Sequence, residues 1–339
     1  MKISRDAVET SYGFCRRMSC RAGSNFHVGF LLLPREKRRA MEALYAFMRH
    51  TDDLADDIKP RPLVAPTDLR RDAIEAWRTA LERAMQGDFP VGQTFLSVPG
   101  QTEMSAPPIR WGDSCTVVPE VAVQLPPQHP APAILPALAD VVQRFHIPHE
   151  YLFAVIDGVT MDLDRRRYET FDDLRQYCER VASAVGLACI HVWGFRGPEA
   201  LEPARQAGIA LQLTNILRDL KEDAQAGRVY LPLADLRQCD YAVEDLLAGV
   251  ADQRFRRVMA MEVARAEQFY AAGAELMDWL EPSGRRIFGL MMATYRSLLR
   301  RIASRPADVF HRRVRLGGLQ KFQLAARWSL LPPRKADLR

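Results

Sequence analysis

The sequence has 339 residues, a net charge of +5 and 48% hydrophobic residues. This length supplies a buried core for one large domain or two smaller ones, and the modest charge gives no reason to expect a nucleic-acid partner. The six cysteines form no CxxC pair and no Cys/His cluster with zinc-ligand spacing. They therefore argue against a thiolate-held structural metal and favour a reducing compartment.

The N-terminal and C-terminal segments give expectations about the cellular location of the protein. The segment MKISRDAVETSYGFCRR lacks the apolar core of a signal peptide, and no later run reaches the roughly 20 apolar residues of a membrane span. We therefore expect a cytoplasmic protein. Most of the excess positive charge lies in RRIASRPADVFHRRVRLGGLQKFQLAARW and PPRKADLR. A solvated basic surface is the simplest interpretation, and the alternatives are docking at the inner face of an anionic membrane and binding of a polyanionic substrate.

Most of the chain has the periodicity of amphipathic helices. Apolar residues recur every three or four positions in REKRRAMEALYAFMRHTDDLADD, RRDAIEAWRTALERAM, YCERVASAVGLACIHVWGF, EPARQAGIALQLTNILRDLKEDA and MEVARAEQFYAAGAELMDWL. No convincing series of alternating strands occurs in the sequence. The pattern predicts an all-α fold.

One proline-rich segment interrupts this pattern, from about residue 88 to about residue 136. Proline at such density disfavours both helix and sheet, so we predict a disordered insertion that ends where helical periodicity resumes at ALADVVQRF. The flanking helices each look incomplete as a core, which favours an insertion within a single domain spanning residues 1–339. A linker between two domains is the alternative.

The stretch RHTDDLADD, residues 49–57, places four aspartates at the end of a predicted helix. Asp52 and Asp56 are four residues apart, as are Asp53 and Asp57, so each pair shares one helix face. Like charges at this spacing repel each other. Taken alone, such a stretch is most simply a solvated surface.

A second polar cluster changes that interpretation. Asn215, Asp219 and Asp223 follow one another at intervals of four, which on a continuous helix spans about 80° of its circumference. Two such faces in one helical protein can oppose each other across a cavity. Oxygen ligands without His or Cys suit Mg²⁺, with Mn²⁺ as an alternative, and Mg²⁺ is typically shared between carboxylates and substrate phosphate oxygens.

Neighbouring residues extend this hypothesis to a diphosphate. The basic residues beside the two clusters are Arg49, Arg218 and Lys221. For Arg49, a structural ion pair is an equally good interpretation. A magnesium-bound diphosphate in an otherwise apolar and aromatic site suggests ionisation of an allylic diphosphate, whose carbocation must be kept from water. The aromatic candidates are Phe26, Tyr45, Tyr177 and Tyr295, although core packing is the simpler explanation for each taken alone.

Four stretches of the sequence resemble the squalene and phytoene synthase family of head-to-head prenyl synthases. They are GSNFHVGFLLLPREKRRAMEALYAFMRHTDDLADD, IDGVTMDLDRRRYETFDDLRQYCERVASAVG, GIALQLTNILRDLKEDAQAGRVYLP and, more weakly, VFHRRVRL. The resemblance covers nearly the whole chain apart from the proline-rich segment. It implies the isoprenoid synthase fold, a single all-α bundle around a central cavity in which two aspartate-rich motifs face each other.

The resemblance also implies roles for individual residues. The magnesium ligands that it implies are Asp52, Asp53, Asp56, Asn215, Asp219 and Asp223. The catalytic residues that it implies are Asp52, Asp56, Asp219, Asp223, Tyr177 and Tyr45. The residues expected at the substrate are Arg49, Gln212, Asn215, Asn25, Arg218, Lys221, Tyr295 and Arg313, of which Tyr295 and Arg313 match only through the loose C-terminal stretch. Where the family has two serines followed by phenylalanine and tyrosine, this chain has Ser24, Asn25, Phe26 and His27, which weakens any inference about substrate preference.

The expected activity is magnesium-dependent condensation of two farnesyl or geranylgeranyl diphosphates through a cyclopropyl diphosphate. The end point is presqualene diphosphate, squalene or phytoene, with the squalene branch slightly favoured, and NADPH is needed only for squalene. One alternative is a non-catalytic homologue that acts as a partner subunit, but this chain keeps the acidic positions. Another is a hydrolase or terpene cyclase, against which the second-motif spacing and GRVYLP argue. The sequence leaves the oligomeric state open.

Overall fold

A computed structural model describes residues 4–21, 29–55, 67–89, 131–331 and 333–338. The described residues are mostly helical and form no strand, so the predicted all-α fold is confirmed. The α-helices are α1 (Arg5–Arg21), α2 (Arg35–Ala55), α3 (Thr67–Met85), α4 (Ala131–Arg144), α5 (His149–Asp164), α6 (Phe171–Cys178), α7 (Ala184–Trp193), α8 (Leu201–Arg218), α9 (Leu220–Gln225), α10 (Leu233–Gln238), α11 (Val243–Leu247), α12 (Gln253–Gly273), α13 (Pro282–Ser304), α14 (Asp308–His311) and α15 (Gly318–Leu330). Among these described helices, none is both long enough and apolar enough to cross a bilayer.

Helix α2 carries the first acidic motif and packs against α1, α3, α4, α5 and α7. Its buried face includes Leu44 and Phe47, which are at most 1% exposed. Near the end of α2, the indole N–H of Trp77 from α3 donates to the Thr51 hydroxyl at 2.9 Å, and that hydroxyl donates to the Phe47 carbonyl. These buried bonds fix the last turn of α2 and therefore the direction of Asp52.

Helix α8, which carries most of the second motif, lies between α12 and the π-helical turn Glu179–Ser183 that follows α6. Gly208 allows the close approach to that turn, because a Cβ atom at this position would lie 2.6 Å from the Ser183 Cα atom. On the other side of α8, the Thr214 and Tyr270 hydroxyls are 2.8 Å apart in the buried interface with α12. Helix α8 is therefore held between α12 on one side and the turn 179–183 on the other.

The C-terminal elements return to the second motif. Helix α14 packs against α9, so the segment 312–317 passes close to Asp219. Helix α15 then packs on α13, where the ring of Trp328 occupies the space next to Gly289. Residues more than 90 positions from the second motif are thereby brought to it.

The predicted end of the proline-rich insertion was wrong. Most of that segment, residues 90–130, lies outside the described residues, but α4 begins at Ala131 and includes Pro136. A proline inside a helix breaks the regular hydrogen bonding. Here the Ser11 hydroxyl of α1 accepts the Ala137 N–H at 3.0 Å and donates to the Ala133 carbonyl at 2.7 Å. Tertiary packing therefore satisfies the backbone at a place where local sequence disfavours a helix.

Candidate active site

Residues of both acidic motifs line one cavity of about 390 Å³. The charged and polar side chains around it are Asp52, Asp162, Tyr177, Gln212, Asn215, Arg218, Asp219, Glu222, Asp223, Arg228, Tyr230 and Arg313, and apolar side chains include Ala55, Val159 and Ile216. A larger cavity of about 970 Å³ lies between α1, α3 and α4 but contains none of the motif residues. The chemistry of the lining side chains therefore identifies the smaller cavity as the candidate active site.

The first motif contributes Asp52 to this cavity, whereas Asp53 points elsewhere. Asp53 forms an ion pair with Arg49 at 2.6 Å, which is the structural alternative considered for that arginine. Tyr45 is half-buried and packs edge-on against Phe30, away from the cavity lining. Asp56 and Asn25, also predicted at the site, lie outside the described residues.

The periodicity predicted one continuous helix for the second motif, and this prediction was wrong. Helix α8 ends at Arg218, Asp219 has φ −101° and ψ 15°, and α9 begins at Leu220. The Asp219 N–H nevertheless donates to the Asn215 carbonyl, and the Asp223 N–H donates to the Asp219 carbonyl, both at 2.9 Å. The break changes the helix direction at Asp219 while all three motif side chains remain on the cavity.

Two arginines hold the carboxylate of Asp219. The Arg218 guanidinium donates through Nε to Oδ1 at 2.8 Å and through Nη2 to Oδ2. Arg313, from the segment between α14 and α15, places its Nε atom 3.1 Å from Oδ1. Arg218 also hydrogen-bonds the buried Tyr295 hydroxyl. Two cationic side chains thus lie at the second motif, and Tyr295 reaches the site through Arg218.

Asn215 and Asp223 are held in a state that suits an added cation. Among the described residues, the buried Oδ1 atom of Asn215 has no hydrogen-bond partner. Burial raises the pKa of Asp223 to about 7, Asp219 and Asp162 add to the rise, and Arg228 opposes it. A nearby cation would give the Asn215 amide oxygen a partner. It would also favour the ionised form of the Asp223 carboxylate, against the effect of burial.

A cluster of three tyrosine rings lies beside Asp162, and two of them bind its carboxylate. The Tyr177 and Tyr230 hydroxyls donate to Asp162 at 2.9 and 2.7 Å. The two rings are stacked with centroids 5.2 Å apart, and Tyr168 stacks on Tyr230 at 5.9 Å. Burial raises the pKa of the Tyr177 hydroxyl, so this side chain stays neutral on the cavity lining.

Sequence reasoning had selected Tyr177 but missed Asp162, Glu222, Arg228 and Tyr230. Two of the stretches that resemble the family, MDLDRRRY and GRVYLP, contain three of these residues. The structure joins these stretches directly, because the Val229 N–H donates to the Arg166 carbonyl at 2.8 Å. A carboxylate directly after the apolar run of α5 was the available signal for Asp162. Of the other predicted residues, Lys221 is half-buried and lies off the cavity lining.

Comparison with known proteins agrees with this geometry. The family model for squalene/phytoene synthases matches residues 20–320. The chain belongs to the squalene/phytoene synthase family. It is 33% identical to the phytoene synthase of Arthrospira platensis, over 89% of this chain and 87% of that protein. It is 32% identical to the 15-cis-phytoene synthase of Synechococcus elongatus, over 91% of this chain and 88% of that protein.

Solved structures of squalene/phytoene synthases have the same fold. The squalene synthase of Alicyclobacillus acidocaldarius superposes with a TM-score of 0.69 at 26% identity, covering 90% of this chain and 97% of that chain. A dehydrosqualene synthase solved with a ligand superposes with a TM-score of 0.75 at 23% identity, covering 95% of this chain and 96% of that chain. The protein is therefore a prenyltransferase of the type that condenses prenyl diphosphates head to head.

Proposed function

We propose that the protein joins two prenyl diphosphates head to head, through a cyclopropyl diphosphate, in a magnesium-dependent reaction. The observation that carries this proposal is the convergence of Asp52 with the second-motif side chains and three arginines on one cavity. Carboxylates that face arginines are the arrangement expected where metal ions and cationic side chains share a diphosphate. Family membership supplies the reaction type.

The oxygen donors fit a hard divalent cation. Asn215 offers a buried oxygen without a partner among the described residues, and the pKa of Asp223 is raised to about 7 by burial. No group of three or more His, Cys, Asp or Glu within the described ranges is close enough to hold an ion alone. This agrees with Mg²⁺, or Mn²⁺ in its place, being completed by substrate oxygens.

The residues on the cavity that would hold the cation are Asp52, Asn215, Asp219 and Asp223. For Asp53 and Asp56 the ligand role stays a prediction from the sequence. A bound ion supplies charge that makes the diphosphate a better leaving group.

The protein's own side chains would bind the diphosphate group. They would also protect the carbocation that forms when the diphosphate departs. Arg218 and Arg313, which bind Asp219 at the edge of the cavity, would donate to diphosphate oxygens. Arg228, also on the lining, adds a third positive charge. Tyr177 and Tyr230, both on the cavity lining, would stabilise a carbocation with their aromatic rings and exclude water. Asp162 fixes both rings through their hydroxyls.

For the substrate, we propose geranylgeranyl diphosphate with phytoene as product, because the two curated relatives compared above are phytoene synthases. This reverses the slight preference for the squalene branch that the sequence had suggested. Farnesyl diphosphate, with presqualene diphosphate or squalene as product, is the second candidate, which the 26% identical squalene synthase favours. Only squalene formation would require NADPH, because it ends in a reduction of the second cation.

The test is incubation of the purified protein with Mg²⁺ and either the C15 or the C20 diphosphate, with and without NADPH, followed by product identification. Asp219→Ala should abolish turnover without changing the far-UV circular dichroism. Glu244→Ala, an exposed carboxylate on α11, is the matched control and should retain full activity. Absence of an organic product from both substrates would contradict the proposal and favour the non-catalytic alternative.

A further inference from the structure

Helix α15 exposes an apolar face near the C-terminus. Leu319, Phe322 and Leu330 are 73%, 70% and 78% exposed. At 3.6 residues per turn these three positions span about 80° of the helix circumference. Trp328, on the opposite side of the helix, is 1% exposed and packs at Gly289 of α13. Because Trp328 fixes the rotation of the helix, the apolar face is directed away from the protein.

The chain around this face is strongly basic. Residues 309–336 contain seven lysines and arginines and no aspartate or glutamate. An isolated exposed leucine needs no explanation, but three large apolar side chains on one helix face within such a segment are unusual for a purely solvated surface. The combination of apolar side chains and positive charge is typical of helices that lie at a membrane surface.

A pocket rich in arginines lies beside the start of the same helix. It has a volume of about 450 Å³, and the arginines that line it are Arg300, Arg301, Arg305 and Arg312. Its one acidic side chain, Asp308, is paired with Arg312 at 2.8 Å. Within the described part of the chain, no carboxylate lies within ion-pairing distance of Arg301 or Arg305, which leaves the pocket with surplus positive charge.

We infer that this arginine pocket and the apolar face of α15 form one docking surface for an anionic phospholipid bilayer. The pocket binds lipid phosphate, and Leu319 and Phe322 enter the boundary between headgroups and acyl chains. Gln320 lines the pocket and lies between Leu319 and Lys321 in the sequence, so the two parts adjoin. A second copy of the chain is a poorer occupant, because it would bring two basic segments together.

The docking surface adjoins the candidate active site. Arg312 has extended backbone angles, φ −153° and ψ 150°. Successive side chains of extended backbone point to opposite sides, and here Arg312 lines the arginine pocket while Arg313 binds Asp219 in the cavity. The role of this docking surface in catalysis rests on the proposed function. Substrates and products with long apolar tails would exchange between the bilayer and a cavity held at its surface.

The test is flotation of the 339-residue protein with vesicles, without substrate, so that loss of docking is distinguished from loss of catalysis. Equimolar phosphatidylcholine and phosphatidylglycerol vesicles should float the protein at low salt, and pure phosphatidylcholine vesicles should not. Arg301→Glu/Arg305→Glu should lower the partition coefficient at least about 25-fold, from about fivefold per arginine charge. Leu319→Ser/Phe322→Ser should lower it roughly tenfold or more.

Matched control variants distinguish binding through this surface from the general effects of charge and of exposed apolar side chains elsewhere on the protein. Arg16→Glu/Arg17→Glu makes the same charge change on exposed positions of α1, and Leu247→Ser removes an exposed leucine from α11. Both should float like the unchanged protein, as should Asp219→Ala. The inference is overturned if the unchanged protein does not float, if the controls lose binding equally, or if the α15 variant abolishes a dimer instead. Binding of inorganic phosphate without vesicle association would identify a soluble-anion site and would also overturn it.

Discussion

A buried carboxyl behind the candidate active site predicts a pH-dependent stability. Glu262 of α12 is 1% exposed and pairs with Arg265 at 2.7 Å. Arg265 also binds Asp235 of α10 at 2.6 Å and covers the ring of Phe171 at the start of α6. One guanidinium therefore serves two carboxyl groups at the junction of the elements that flank Tyr177 and Tyr230. We predict that Glu262→Gln removes a pH dependence of folding that the unchanged protein shows.

The magnitude follows from the pKa of Glu262. Burial raises this pKa from 4.5 to about 7, Asp235 adds to the rise, and Arg265 opposes it. Because the pKa is higher in the folded state, the stabilisation from the protonated form is fully present below the unfolded pKa and is lost as the pH rises through about 7. At roughly 1.4 kcal/mol per pKa unit, the loss amounts to about 3 kcal/mol.

The assay is urea unfolding of both proteins, monitored by far-UV circular dichroism between about pH 4 and about pH 8. The free energy of unfolding of the unchanged protein minus that of Glu262→Gln should fall by about 3 kcal/mol across this range. Val263→Ala, a neutral replacement on the same helix, should show a constant difference. A constant difference for Glu262→Gln as well would refute the reasoning.

Two further predictions concern the arginine pair and the packing of α8. Arg218→Gln should lower the free energy of unfolding by about 2 to 3 kcal/mol because its side chain is only 17% exposed, whereas Arg313→Gln, at 45% exposure, should cost less than about 1 kcal/mol. Both should raise KM for the diphosphate, and equal stability losses in urea unfolding would contradict the assigned geometry. Gly208→Ala should destabilise the protein by about 1 to 3 kcal/mol, because its Cβ meets the Ser183 backbone at 2.6 Å. Gly186→Ala is the control, because its Cβ would lie 3.4 Å from the nearest atom, and it should not destabilise the protein. A comparable loss of unfolding free energy in both variants would exclude the close contact as the cause.

The sequence by itself determined the helical class and selected several of the side chains that line the cavity. Periods of three to four residues indicate helices whatever their partners, and four-residue spacing places Asn215 and Asp223 on the same side as Asp219 even across a helix break. Local sequence also selected Asp52, because it belongs to the cluster of four aspartates at residues 52–57. The alternative considered for Arg49, an ion pair with a neighbouring aspartate, is likewise a local interaction of four residues and is what the structure contains.

Only the tertiary structure decided which side chains meet across long separations in the chain. Asp219 and Arg313 are 94 residues apart, and Asp162 and Tyr230 are 68 residues apart. Helical periodicity gives the direction of a side chain relative to its own helix but does not say which helix lies opposite. For the same reason the helix through Pro136 was mispredicted, since it depends on a hydroxyl from α1. Local spacing thus gave the direction of the side chains on their own helices, and tertiary packing decided which side chains they contact.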